Sequence, residues 1–231
     1  DQLNIPESGN GLPDLLDEIR YELDWVLTMQ DEDGGVFHKL TALNFGGFIM
    51  PEAYDLDRYI IGKGTFSSLT FAAVMAQAAR IYAERDPEFA SAALKAAEAA
   101  WSWAVAHPEE YFRNPEDVVT GQYGDSDSSD DFYWAAAELL ISTGKGLYLD
   151  YLIEHPQPYK HQITNSWMFF IRNMGFHTLL IHMDKFKDER ARQMAEELNV
   201  KHLALSEEIL EKMDSIPYGI SLDHFEWGSN S

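Results

Sequence analysis

Residues 123–143 read YGDSDSSDDFYWAAAELLIST. The stretch opens with four aspartates in seven residues, Asp125, Asp127, Asp130 and Asp131, and runs straight into an aromatic, alanine-rich segment of helical character. Aspartate and serine oxygens cap a helix by accepting from the backbone N–H groups left unpaired in its first turn, and they set negative charge at the positive end of its dipole. Capping accounts for one or two of the acids. Four carboxylates this close repel one another, and a hard cation held by oxygens removes the conflict; calcium takes about six to eight such ligands. The spacing is not that of an EF-hand, because the sixth residue counted from Asp125 is Asp130 rather than Gly and the twelfth is Ala136 rather than Glu. A site here is irregular, completed by main-chain carbonyls or by distant residues.

Working outward, the 231-residue chain is 45% hydrophobic and 13% aromatic, enough for one sizeable core. Its formal net charge is −22, from 39 acidic against 17 basic residues. Such a field repels phosphate backbones and argues against nucleic acid as a partner, while a neutral substrate or a cation is compatible with it. With no cysteine, disulfides, thiol chemistry and cysteine metal sites are excluded. The apolar runs are too short to span a bilayer, so no membrane partner is expected. The start at Asp1 and the end at Trp227-Gly-Ser-Asn-Ser231 read as cut ends.

Upstream, Pro13 suits a first helical turn, and Leu15, Ile19, Leu23 and Val26/Leu27 recur at helical spacing to about Met29, where Asp31-Glu-Asp-Gly-Gly35 makes a turn. Val36–Gly64 carries no sustained period, and short strands are expected at Val36–Leu40 and Tyr59–Ile61. Helices are expected over Thr65–Glu84, Pro87–Ala106, about Asp130–Ser142, Leu147–Ile153, Ser166–Lys185, Asp188–Asn199 and Ser206–Met213, with Asn114–Gly124, His155–Asn165 and Ile216–Ser231 as loops. The fold class is all-α, with long loops on which function would sit.

Among residues that could carry chemistry, carboxylate pairs are the usual agents of glycosidic-bond hydrolysis, but this chain has too many for a count to inform. Aromatics outside helical patterns are more telling, since sugar rings stack on them: Phe37, Phe45, Phe48, Tyr54, Tyr123, Trp167 and Trp227. Trp25, Trp101, Trp103 and Trp134 fall inside helical patterns and read as core. His38 and Lys39 follow a Gly-Gly turn and could hydrogen-bond a substrate, although a lone histidine is more often structural. No phosphate loop, G-x-S-x-G elbow or H-E-x-x-H motif is present.

Several stretches together resemble the catalytic domain of family nine glycoside hydrolases, the inverting endoglucanases and cellodextrin-cleaving enzymes. They are Asn4-Ile-Pro6 with Glu7-Ser-Gly-Asn-Gly11; Leu16-Asp-Glu-Ile19 with Leu23-Asp-Trp25 and Met29-Gln30; Gly34-Gly-Val-Phe-His-Lys39; Asp130-Asp-Phe-Tyr-Trp-Ala-Ala-Ala-Glu138 with Thr143-Gly144; and Trp227-Gly-Ser-Asn-Ser231. They occur in family order from end to end, and the nearest likeness is to the branch whose catalytic domain follows an immunoglobulin-like module. The resemblance implies an (α/α)6 barrel, here part of the ring, with residues 1–231 belonging to one catalytic domain truncated at both ends. It implies a structural calcium held by Ser126, Asp127, Asp130 and Asp131, the last an aspartate where the family usually has glutamate. It implies sugar contacts from Trp167 and Trp227, and from His38, Lys39 and Tyr123, with a β-glucan oligosaccharide or polysaccharide as partner and a secreted or periplasmic parent. The family's Asp-Ala-Gly-Asp base motif and Asn-Glu acid motif are both missing from the chain. By family order the base precedes Asp1 and the acid follows Ser231, so the remaining parts of the same domain are a further partner.

Two other readings stay open. The chain could be a self-standing product that binds calcium and oligosaccharide without hydrolysis; against this, the helix Leu69–Ile81 is rich in Ala and Val around much of its circumference and needs neighbours on several sides. Or the barrel could act on another β-linked glycan such as an amino-sugar oligomer, which differs only in cleft contacts.

Overall fold

A computed structural model describes residues 3–159 and 171–219. The chain divides into two compact units, Asp1–Ser128 and Ser129–Ser231.

In the first unit, α1 (Asp14–Leu27) follows a turn-rich lead-in that its own first residue organises. The buried Asp14 carboxylate accepts from Leu3 N, Asn4 N and the Ser8 hydroxyl, which holds its pKa below the ordinary carboxylate value. Leu23 is the apolar residue that α1 buries fully, whereas Leu15, Ile19 and Trp25 are exposed by 51, 40 and 43%. The expectation that Trp25 packs in the core is therefore corrected: Trp25 lies inside the helical stretch but off the stripe of Leu15, Ile19, Leu23 and Val26/Leu27, and it is exposed.

After α1 the chain turns through Asp31–Gly35 into an antiparallel hairpin of β1 (Phe37–Thr41) and β2 (Tyr59–Lys63), in register Phe37↔Lys63 and Lys39↔Ile61. The turn is pinned against the helix α3 (Pro87–Ala106). Trp103 Nε1 donates to Asp33 Oδ2 at 3.1 Å, Gln30 Nε2 donates to Gly34 O and Ala96 O, and Lys63 pairs with Asp31 and Asp33 at 2.8 and 2.7 Å. A Cβ on Gly35 would lie 2.5 Å from the Trp103 ring, so only glycine admits this approach. The helix α2 (Thr65–Tyr82) packs along α3, with Ala72, Ala73, Ala76 and Ala79 of α2 and Ala93, Ala97, Ala100 and Ala104 of α3 all buried. Small side chains let two backbones come close and maximise dispersion contact, which is why these helices show little amphipathic contrast. Ser68, buried in the first turn of α2, accepts from Val36 N at 3.0 Å and so fixes the start of the hairpin.

In the second unit, α4 (Ser129–Thr143) packs against α5 (Gly146–Glu154) and α6 (Ile171–Ile181). At Gly175 the approach of α6 to α4 is so close that a Cβ would fall 2.9 Å from the Tyr133 ring and 3.1 Å from Trp134 Cα. Of the helix expected over Ser166–Lys185, residues 166–170 lie outside the described residues; the remainder is α6 followed by one 3-10 turn, Met183–Lys185. The last helix, α7 (Glu189–Ser215), replaces two expected ones. Between Asn199 and Ser206 there is no Gly or Pro to stop it, and the Ser206 hydroxyl bonds back to His202 O at 2.8 Å instead of capping a new start. Among the described residues no helix is long and apolar enough to cross a membrane.

Candidate functional site

The hairpin strand β1 delivers His38 and Lys39 to the loop that leads from α3 to the acidic stretch. His38 Nε2 faces Gln122 O at 3.0 Å and Nδ1 faces the Ser67 hydroxyl at 2.7 Å. A carbonyl can only accept, so Nε2 carries the proton and, in the neutral ring, Nδ1 accepts from Ser67. The imidazole stacks on Phe112 at 3.9 Å between centroids, and burial holds its pKa below the ordinary 6.5. Lys39 Nζ donates to Gly121 O at 2.8 Å and to Thr120 Oγ1 at 3.3 Å, with burial lowering its pKa as well. From the other side, Asn114 Nδ2 donates to Val118 O and Thr120 O, and Asn114 N donates to Gln122 Oε1. A groove of about 280 Å³ beside His38 is lined chiefly by apolar groups, among them Trp25, Phe66 and Phe71. With both nitrogens engaged, His38 offers that groove only ring carbon.

Tyr123 follows this braced run with φ +52°, a conformation that L residues other than Asn and Asp rarely adopt. Its ring folds back over Gly121, where a Cβ would lie 2.6 Å from Cε2 and Cζ, and it remains 55% exposed. Held strain of this kind clusters at functional sites. Phe48 is fully exposed and Phe45 is 71% exposed, on the loop between the two strands. Trp101, Trp103 and Trp134 are buried as expected. Trp167 and Trp227 lie outside the described residues.

In the acidic stretch Asp125 Oδ1 accepts from Ser126 N at 2.6 Å and from Asp127 N at 3.0 Å, a local turn that bends the chain toward α4. Asp130 and the buried Asp131 occupy the first turn of α4. One carboxylate oxygen each from Asp125, Asp130 and Asp131 lie within 4.8 Å of one another. Two oxygens bound to one calcium at about 2.4 Å can be at most about 4.8 Å apart, so the spacing fits. The donor set is all oxygen, which suits a hard cation rather than zinc. Of the expected ligands the structure gathers Asp130 and Asp131, adds Asp125, and leaves Asp127 out of that group. Asp125 carries a sequence signal of its own, since it opens the run of four acids; the braces carry none, because Phe112 and Gln122 act through tertiary contact with His38 of β1 and Asn114 through the folded shape of its own loop.

Residues 3–231 match glycosyl hydrolase family 9. The chain is 40% identical, over 98% of its length and 40% of the relative's, to a xyloglucan-specific endo-beta-1,4-glucanase of Bacteroides ovatus. It is 32% identical to endoglucanase D of Acetivibrio thermocellus over 99% of its length and 37% of that protein's. A solved Bacteroides ovatus GH9 structure superposes with a TM-score of 0.86 at 39% identity, covering 96% of this chain and 42% of that one. The chain thus spans about two fifths of the length of the relatives it matches. The likeness bears out the all-α, (α/α)6 class, of which these helices supply part. On a match that runs from residue 3 to residue 231, the chain belongs to glycosyl hydrolase family 9.

Proposed function

We propose that the complete protein carrying this chain hydrolyses β-1,4-glucosidic bonds in cellulose-type β-glucan or xyloglucan with inversion at the anomeric carbon. The observation that carries this reading is the 40% identity to a xyloglucan-specific endo-beta-1,4-glucanase, sustained over 98% of the chain. In an inverting reaction one carboxylate takes a proton from the attacking water while a carboxylic acid across the bond protonates the leaving oxygen. Neither family motif for these groups is in the sequence, so this chain contributes binding and architecture rather than the proton transfers. Tyr123, 55% exposed, contributes an aromatic ring to a glucosyl unit, and Trp167 and Trp227 are further platforms by resemblance. Asp125, Asp130 and Asp131, with Ser126 and Asp127 adjoining, hold a structural calcium whose charge offsets the repulsion among them and fixes the chain ahead of α4. A polymeric substrate outside the cell and a net charge of −22 favour a secreted or periplasmic location.

The absent acid and base motifs favour one corollary: the 231-residue chain alone binds but does not cleave. Reducing-sugar release from mixed-linkage β-glucan and xyloglucan tests both statements. The complete gene product should turn over at least one of them and the isolated chain neither. Turnover by the isolated chain would place a catalytic carboxylate pair within it, and inactivity of the complete product on both would overturn the proposal.

A further inference from the structure

We propose that His38 and Lys39 are positioning residues rather than sugar contacts, and that with Gly121 they hold the Tyr123 ring as a preformed stacking platform; this rests on the glucan-hydrolase reading. Three consecutive peptide carbonyls are tied to side chains. Thr120 O accepts from Asn114 Nδ2 at 2.6 Å, Gly121 O from Lys39 Nζ at 2.8 Å, and Gln122 O from the His38 ring at 3.0 Å. Backbone anchored this way leaves the next residue little freedom, and Tyr123 is held at φ +52°. Gly121 has no side chain at the place where the Tyr123 ring lies, so the peptide that Lys39 grips is also the seat of the ring. A ring already fixed and 55% exposed loses little entropy when an apolar sugar face stacks on it. His38 has both nitrogens engaged, and Lys39 directs its charge at Gly121 O and Thr120 Oγ1.

If Lys39 acts only through Tyr123, removing it matters only while Tyr123 is there. The test is steady-state kinetics of the complete gene product on cellohexaose and xyloglucan, with melting temperature and amide exchange at residues 120–124 recorded for each variant. Tyr123→Ala should raise KM about fivefold, the worth of one aromatic contact, with most of the loss in KM rather than kcat. Lys39→Met and Gly121→Ala should move KM the same way, and Lys39→Met should speed exchange at 120–124. Gly121→Ala is a mild change for folding, since the three atoms nearest to its Cβ all belong to the far end of the Tyr123 side chain. In the Tyr123→Ala background, Lys39→Met should change KM less than about twofold. Multiplicative losses in the double variant would show Lys39 touching sugar and overturn the proposal. Unchanged KM in the single variants beside lowered melting temperatures would reduce the clamp to a structural feature and overturn it as well. No turnover by the unaltered protein on either substrate would sink the hydrolase reading and the platform role together, while unchanged exchange in Lys39→Met would separately refute the clamp.

Discussion

Replacing Gly34 with alanine should be among the more damaging single-methyl changes in the first unit, and the size follows from two independent terms. Gly34 has φ +95°, where a Cβ meets the neighbouring peptide, at about 1–2 kcal/mol. The same Cβ would lie 2.8 Å from Ala99 O and 3.1 Å from Ala99 C, in the backbone of α3. That helix is held by its own ladder and by the packing of α2, so it cannot yield as a flexible side chain would, and overpacking against it costs about 1–3 kcal/mol. The sum is about 2–5 kcal/mol, or roughly 4–20 °C in melting temperature for a chain of this size. Gly47→Ala supplies the control: φ is +72° but nothing lies within 4 Å of its Cβ, so only the conformational term applies, about 1–2 kcal/mol. Urea unfolding of both variants, with m-values compared, measures the difference directly. If Gly34→Ala unfolds at the same midpoint as Gly47→Ala, the close seating of the turn on α3 is wrong, and with it the account of how β1 is placed.

Further expectations concern the site and the second unit. Burial lowers the His38 pKa, so between that value and the ordinary 6.5 the unfolded chain binds more protons than the folded one; stability should be full above about pH 6.5 and fall as pH drops through the folded value, and His38→Gln should flatten melting temperature against pH in that window. Calcium at a hundred times its dissociation constant should stabilise by about 2.7 kcal/mol, seen as a melting-temperature rise that EGTA reverses and Asp130→Ala removes; an unchanged melting temperature on adding calcium would refute the ion-binding reading of the acidic stretch. Gly175→Ala, whose Cβ would sit 2.9 Å from the Tyr133 ring, should cost about 1–3 kcal/mol in urea unfolding by prising α6 from α4, and no loss would contradict that packing.

Much of this arrangement is legible in the sequence. The bounds Pro87–Ala106 coincide with α3 because the sequence supplies both punctuation marks, Pro87 at the first turn and His107-Pro108 past the end. The two short strands sit within one or two residues of their expected places, since Gly62 and Gly64 bracket the end of β2 and Gly34-Gly35 precede β1. The sequence divides the last helix in two because Ser206 looks like a cap, and its bond to His202 O shows that the helix runs through it. Trp25 falls inside the helical stretch, but membership of a helix does not by itself put a side chain on the buried face. At the site, the acidic run and Tyr123 stood out as composition and position. The engagement of His38 and Lys39 with the backbone at Gly121 and Gln122 could not stand out, because its acceptors there are peptide carbonyls that every residue has.

The central claim, that this chain is part of an inverting β-glucan hydrolase, is tested most directly by proton NMR of cellohexaose during hydrolysis by the complete gene product. The account predicts that the newly formed reducing ends appear first as the α-anomer, before mutarotation. Products appearing first as the β-anomer, or no cleavage of β-1,4-glucan at all, would contradict it.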